Sequence, residues 1–307
     1  MKWKKRGLIY CANRDNDWKF QGALLPTPIQ LKDNLLRIYV GFCDKNIVSR
    51  IGYVDVLPDD PSYIIKVSEK PVLDIGRNGC FDDNGVVPVS VLRKEDKIFL
   101  YYVGFSKGIK VPYYMFLGLA ISDDNGETFR RHSQCPVLDR FNNEVYARCG
   151  AFVFKDEDMF RMWYVGTYKE GWTQKEDALK PLYIMKHITS NDAIRWNEPS
   201  VDVLSYSNKD EHGFGRPYVW KEFGIYKMLY SIRTYSHNYH IGYAESTDGI
   251  AWVRKDDLAG IESSKDGWDS ENISYPFLFS CAKKTYMFYN GNGYGRSGFG
   301  YAELIGN

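Results

Sequence analysis

The stretch "ENISYPFLFSCAKKTYMFYNGNGYGRSGFGYAE", Glu271 to Glu303, alternates apolar and polar residues, crosses a Lys283-Lys284 pair, alternates again and breaks on glycines. Alternation with period two marks a strand, and a short charged link between two such runs marks a hairpin. The same form recurs in "LPTPIQLKDNLLRIYVGF" (Leu25 to Phe42), "VPVSVLRKEDKIFLYYVGF" (Val87 to Phe105), "CGAFVFKDEDMFRMWYVGT" (Cys149 to Thr167) and "RPYVWKEFGIYKMLYSIR" (Arg216 to Arg233). Each copy begins at a Pro or Gly anchor: Pro26, Pro88, Gly150, Pro217 and Pro276. Each then crosses a short charged or glycine-containing turn and ends in an aromatic strand. A second recurring piece follows most copies, as in "IGYVDV", "LGLAISDDNGETF", "IMKHITSNDAIRW", "IGYAESTDGIAW" and "FGYAEL". The anchors lie about sixty residues apart, and a repeat of three or four short strands fits a propeller blade.

The pattern predicts an all-β chain, a five-bladed β-propeller with residues 1–307 in one domain. The last copy holds about three strands, while "RGLIYCAN" near the N-terminus is a strand without a unit of its own. Pairing the two closes the ring and removes exposed edges. Helical periodicity is almost absent; "TQKEDALKPL" is expected to supply a turn or two of helix before Pro181. The stretches "YKEGWTQKEDALKP" and "SYSNKDEHGFG" read as rim loops. The turns "SDDNGETF" and "STDGIAW" resemble the Asp-box hairpins of propellers, stacked by Phe129 and Trp252.

Composition narrows the function classes. A net charge of +1 with no basic block beyond "KWKKR" argues against a nucleic-acid partner. The basic N-terminus lacks the apolar run of a signal peptide, and no segment approaches a membrane span. The six cysteines show no metal-binding spacing, and several sit in strand patterns, where a free thiol behaves as a small hydrophobe. The expectation is a reduced, cytoplasmic protein without a metal or other cofactor.

In a propeller the innermost strand of each blade starts near the central funnel, so residues preceding the anchors are the site candidates. Carboxylates recur five or six residues before the anchor in four copies: Asp82 and Asp83, Glu144, Glu211, and Glu271, with Asp269 two residues further back. Asp83, Glu144 and Glu211 are the candidate catalytic residues, because cleaving a glycosidic bond takes one acid for the leaving oxygen and a second group to attack or activate water. Substrate binding is assigned to Asp82, Arg148, His212, Arg216, Arg233, His237, Trp268, Asp269 and Glu271. The arginines suit an anionic group, Trp268 a sugar face, and Glu271 the hydroxyls. Each carboxylate also has a plain structural reading, since "DDNG" is an ordinary turn and Glu144 and Glu211 lie in polar loops.

Several stretches resemble a group of glycosidase-like bacterial proteins encoded among surface-polysaccharide and O-antigen genes. They are "FDDNGVVPVSVL", "YYMFLGLAISDDNGETFRRHSQCPVLDR", "YHIGYAESTDGIAWVRKD", "GWDSENISYPFLF" and "YMFYNGNGYGRSGFGYAE". The resemblance covers nearly the whole chain. It implies the five-bladed superfamily of invertases, levansucrases, arabinanases and mannoside phosphorylases, with a central carbohydrate site. It places the superfamily's second-blade acid at Asp82 or Asp83 and its third-blade acid at Glu144. The first-blade acid is missing from "FQGALLPTP". The resemblance thus implies a glycosidase-, phosphorylase- or transferase-like enzyme of surface-glycan metabolism acting on a carbohydrate, nucleotide-sugar or phosphorylated sugar. The alternative is a non-catalytic carbohydrate-binding propeller that assists polysaccharide assembly.

Overall fold

The computed structural model describes residues 1–14, 16–237, 239–281 and 284–306. The expected turn residue Lys283 lies outside them. The chain is nearly all β-structure; a 3₁₀ turn at Asp256–Leu258 and a tight turn at Asn292–Gly295, left-handed at Gly293 and Tyr294, are the pieces closest to helix among the described residues.

The strands form antiparallel meanders in chain order. Unit I holds β2 (Ala12–Asn13), β3 (Gln21–Lys32), β4 (Leu35–Cys43), β5 (Ser49–Val56) and β6 (Ile64–Val67). Unit II holds β7 (Val86–Lys94), β8 (Lys97–Lys107), β9 (Tyr113–Ser122) and β10 (Arg130–Arg131). Unit III holds β11 (Ala147–Asp156), β12 (Met159–Lys175), β13 (Ala178–Ser190) and β14 (Val201–Leu204). Unit IV holds β15 (Glu211–Glu222), β16 (Ile225–Thr234), β17 (Tyr239–Ser246) and β18 (Val253–Arg254). Unit V holds β19 (Ser274–Cys281), β20 (Lys284–Asn290) and β21 (Phe299–Gly306), and its outer strand β21 pairs antiparallel with the N-terminal β1 (Lys2–Tyr10). Units II and III share one hydrogen-bonded sheet, because β9 and β11 pair briefly in parallel at Ala147–Met115 and Arg148–Phe116.

The stretch expected to form helical turns before Pro181 is a β-hairpin instead. Thr173 pairs with Lys180, Gln174 with Leu179 and Lys175 with Ala178. Extending the β12–β13 ladder satisfies these backbone groups in register, and that outweighs the local helix preference of "KEDALK".

Each anchor sits in the first long strand of its unit, and the ladder slips there. Register shifts fall between Leu24 and Thr27, Pro88 and Ser90, Cys149 and Phe152, Gly215 and Tyr218, and Ser274 and Phe277. A proline has no N–H to give the ladder, and a bulge absorbs the gap and re-aims the neighbouring side chain. The apolar core lies between units. One cluster joins I to II, one spans II to IV, one joins IV to V, and one joins V to I.

Candidate functional site

The recurring carboxylates turn back into their own units. The Tyr102 hydroxyl donates to Asp82 at 3.0 Å, and Arg131 holds the same carboxylate at 2.7 Å. The Tyr164 hydroxyl donates to Glu144 at 3.0 Å, with the Arg148 guanidinium at 3.4 Å. The Tyr289 hydroxyl donates to Asp269 at 3.0 Å, with Lys5 at 2.6 Å. In unit IV the parts are shared out differently: Tyr230 donates to Asp256 at 2.6 Å, while Arg254 bridges Asp256 and Glu211, each at 2.7 Å. The sequence recurrence is therefore a tyrosine–carboxylate–cation triad inside a unit. Glycine makes room for it: a Cβ on Gly104 would stand 2.5 Å from the Asp82 Cβ, and one on Gly166 2.3 Å from a Glu144 oxygen.

The residues that converge are the ones immediately before the anchors. Leu25, Val87, Cys149, Arg216 and Tyr275 come one from each unit, and all line a single cavity of about 530 Å³. Leu24, Val103, Phe105, Met115, Val165 and Phe214 extend its apolar wall. Lys107, Arg233 and the tyrosines 113, 183, 239 and 294 supply its polar groups, with Ser49 and Asn84. Four of the lining residues hold left-handed backbone without being glycine: Leu25 at φ 52°, Ile47 at φ 66°, Tyr275 at φ 55° and Tyr294 at φ 62°. Such conformations cost about 1–3 kcal/mol each and collect at functional sites. Neighbouring units grip the strained backbone. Asn290 of unit V accepts the Leu25 N–H at 2.7 Å, and Ser231 of unit IV accepts the Tyr275 N–H at 2.8 Å.

The electrostatics of the cavity are one-sided. Arg216 is 1% exposed and donates to the Thr27 hydroxyl at 3.0 Å and the Tyr275 carbonyl at 2.6 Å; its Nε has no partner among the described residues. Burial pulls its pKa down to about 9, so it still carries its proton at neutral pH. Arg233 lies over the Tyr239 and Tyr294 rings, 5.6 Å from each centroid. No carboxylate is among the described residues lining the cavity. The Cys149 thiol is pushed by burial to about 12, which keeps it neutral.

Of the residues expected at the site, Arg216 and Arg233 line the cavity and the others do not. Arg148 is buried against Glu198 at 2.6 Å as well as Glu144. Glu144 also accepts from Ser200 at 3.0 Å. Burial lifts the Glu144 pKa above the usual carboxylate range, against the pull of Arg148 and Lys186. Burial alone would raise Glu211 too, but the hydrogen bonds from Arg254 and Ser207 outweigh it and hold its pKa down. Asp83 accepts the Gly79 N–H at 2.9 Å within its turn. His212 is buried, stacked on Tyr235 and bonded to the Pro181 carbonyl at 2.9 Å. His237 is exposed beside Ser236, and Glu271 is exposed near Asn292. Trp268 stacks on Tyr289 with centroids 5.1 Å apart.

Comparisons with known proteins fix the chain's relations. No protein-family model matches it. It is 33% identical over 304 residues to "Uncharacterized protein Rv1502" of Mycobacterium tuberculosis strain ATCC 25618 / H37Rv, covering 99% of both chains. The chain belongs to the family of that protein. "Uncharacterized protein MT1551" of strain CDC 1551 / Oshkosh matches to the same extent, 33% over 304 residues. Among solved structures, a "Glycoside hydrolase" superposes with a TM-score of 0.73 at 17% identity, covering 98% of this chain and 90% of that one. A thermostable family-43 glycoside hydrolase gives 0.69 at 17% identity, covering 94% and 90%. The alpha-L-arabinofuranosidase from Lactobacillus brevis gives 0.72 at 10% identity, covering 93% and 91%. At these identities the likeness establishes a shared fold.

Proposed function

We propose that this protein is a five-bladed β-propeller, closed by β1 on β21, that holds a carbohydrate at its centre. There it cleaves or transfers a glycosidic linkage in the cytoplasmic metabolism of a bacterial surface glycan, as an O-antigen-type resemblance implies. One observation carries the reading: one residue from each unit reaches the same cavity of about 530 Å³, in the fold of glycoside hydrolases. That volume suits a small saccharide, and pockets of this kind lie within about 300–1,000 Å³. Tyrosine rings provide sugar-stacking faces and hydroxyl partners. The described lining offers no pair of carboxylates, which favours a reaction whose nucleophile arrives with a second substrate, such as phosphate or an acceptor sugar. Glu144 is the proton donor in this scheme, as the third-unit acid that the resemblance implies and the one whose pKa burial raises.

The same carboxylate-free wall favours a second reading, a carbohydrate-binding propeller without turnover. One experiment separates them. The purified protein is incubated with oligosaccharides of the producing bacterium's surface glycan, with and without phosphate, and products and binding are both measured. Turnover that falls by roughly a hundredfold in Glu144→Gln, with binding kept, supports the enzyme and its acid. Turnover unchanged in that variant removes Glu144 from the role. Binding without turnover supports the second reading, and absence of both overturns the carbohydrate assignment.

A further inference from the structure

Three arginines rank among the largest fully buried side chains: Arg37, Arg148 and Arg216. Arg37 is neutralised by Asp55 at 2.8 Å and Arg148 by Glu198 at 2.6 Å. Arg216 makes no ion pair among the described residues, and it is the one that lines the cavity. A buried charge left without a partner carries its desolvation cost uncompensated, so an arginine buried without an anion is a standing penalty. Arg233 and Lys107 line the same cavity, also without an ion pair among the described residues. Two of these three cations, both arginines, belong to unit IV and face tyrosines 239, 275 and 294, while Lys107 stands at the end of β8 in unit II. The wall from units I and II is largely Leu24, Leu25, Val87, Val103 and Met115.

We infer that the cavity selects a saccharide bearing a compact oxyanion, a carboxylate or a phosphate, whose charge sits against Arg216 and Arg233. The anion replaces the missing counter-charge, and the free Nε of Arg216 gains an acceptor. The neighbouring tyrosine hydroxyls donate to its remaining oxygens, while the less polar ring faces lie on units I and II. This inference rests on the carbohydrate reading of the same cavity.

Calorimetric titration at low salt with glucuronate, glucose 1-phosphate, inorganic phosphate and glucose tests it. A charged sugar is expected to bind at least about tenfold more tightly than glucose, because a hydrogen bond to a charged group contributes ~1.5–3 kcal/mol. Arg233→Gln is expected to remove most of that difference. Arg233 donates no hydrogen bond to another described side chain, so this variant should fold, which its circular dichroism checks. Arg216→Lys keeps the charge but loses the fork, and it is expected to weaken the charged sugars by a smaller factor. Glucose binding as tightly as the charged sugars overturns the inference and leaves the carbohydrate reading intact, as does unchanged affinity in Arg233→Gln. Phosphate binding as tightly as glucose 1-phosphate, with no gain from either sugar ring, keeps the anion site and overturns the carbohydrate reading. No binding of any charged probe at millimolar concentration overturns the inference.

Discussion

Asn290 is fully buried and uses every polar atom of its amide. Its oxygen accepts the Leu25 N–H, and its nitrogen donates to the Ala23 carbonyl at 2.7 Å and the Gly298 carbonyl at 3.0 Å. It thereby locks the strained Leu25 backbone of unit I to unit V. Asn290→Ala strands the Leu25 N–H, removes the side-chain donor to the Ala23 carbonyl and leaves the Gly298 carbonyl only the long Gly291 N–H contact, so a loss of about 3 kcal/mol in unfolding free energy is expected by urea titration. A loss below about 0.5 kcal/mol would show that water replaces the amide without penalty. The residue scale is also where the sequence was least legible. The carboxylates before the anchors and the residues touching the anchors recur equally well, but only the first carry obvious chemistry. Spacing alone does not say whether a side chain faces the funnel or folds back on a tyrosine of its own unit. Leu25, Val87 and Cys149 look like ordinary core residues in the sequence. The signal that identifies them is positional: each immediately precedes the Pro or Gly at which its strand bulges.

At the scale of elements, aromatic side chains bolt one unit to the next. Tyr39 of unit I donates to the Gly126 carbonyl at 2.9 Å, Tyr101 of unit II to Ala193 at 2.5 Å, and Trp163 of unit III to Gly249 at 2.8 Å. Each acceptor lies in the Asp-box turn of the following unit, whose backbone is held by Ser122, Ser190 or Ser246. Tyr286 of unit V donates to the Asp59 carbonyl of unit I at 2.8 Å. Tyr101→Phe removes one bolt without changing the ring, and a cost of about 1–2 kcal/mol is expected. Combining it with Tyr39→Phe should add nearly independently, since the two bolts share no partner. A double variant no weaker than the single one would mean that the bolts are solvated alternatives. These elements were legible in the sequence because the strand alternation and the "SDDNG" and "STDG" turns are local signals. The β12–β13 extension was not, since its ladder overrides a helix-prone composition.

For the whole molecule, two buried histidines make stability depend on pH. Burial lowers the pKa of His187 and of His212 to about 4 from an unfolded value of 6.5. Between those values the unfolded chain binds more protons, so stability rises with pH there and is complete above 6.5. The urea midpoint should fall steadily as pH drops from 6.5 towards 4. His187→Phe, which keeps a ring against Trp163, should flatten part of that slope; an unchanged slope would remove His187 from the account. Strand β1 has a comparable reach. It brings Trp3 to the IV–V core and Ile9 to the V–I core, and Lys5 to Asp269. Deleting residues 1–10 should therefore leave β21 with a bare edge, lower the melting temperature and promote self-association, visible by light scattering.

The pairing of β1 with β21 also sets an order of events during synthesis. Lys2 meets Gly306, so β1 leaves the ribosome and waits for a partner strand made about 300 residues later. At about 5–20 residues per second, that wait is tens of seconds, during which Trp3 and Ile9 have no core to enter. A nascent chain of this protein is thus a sticky object for most of its translation. Slowing the ribosome late in the message prolongs that exposure, whereas slowing it before the first unit is made does not.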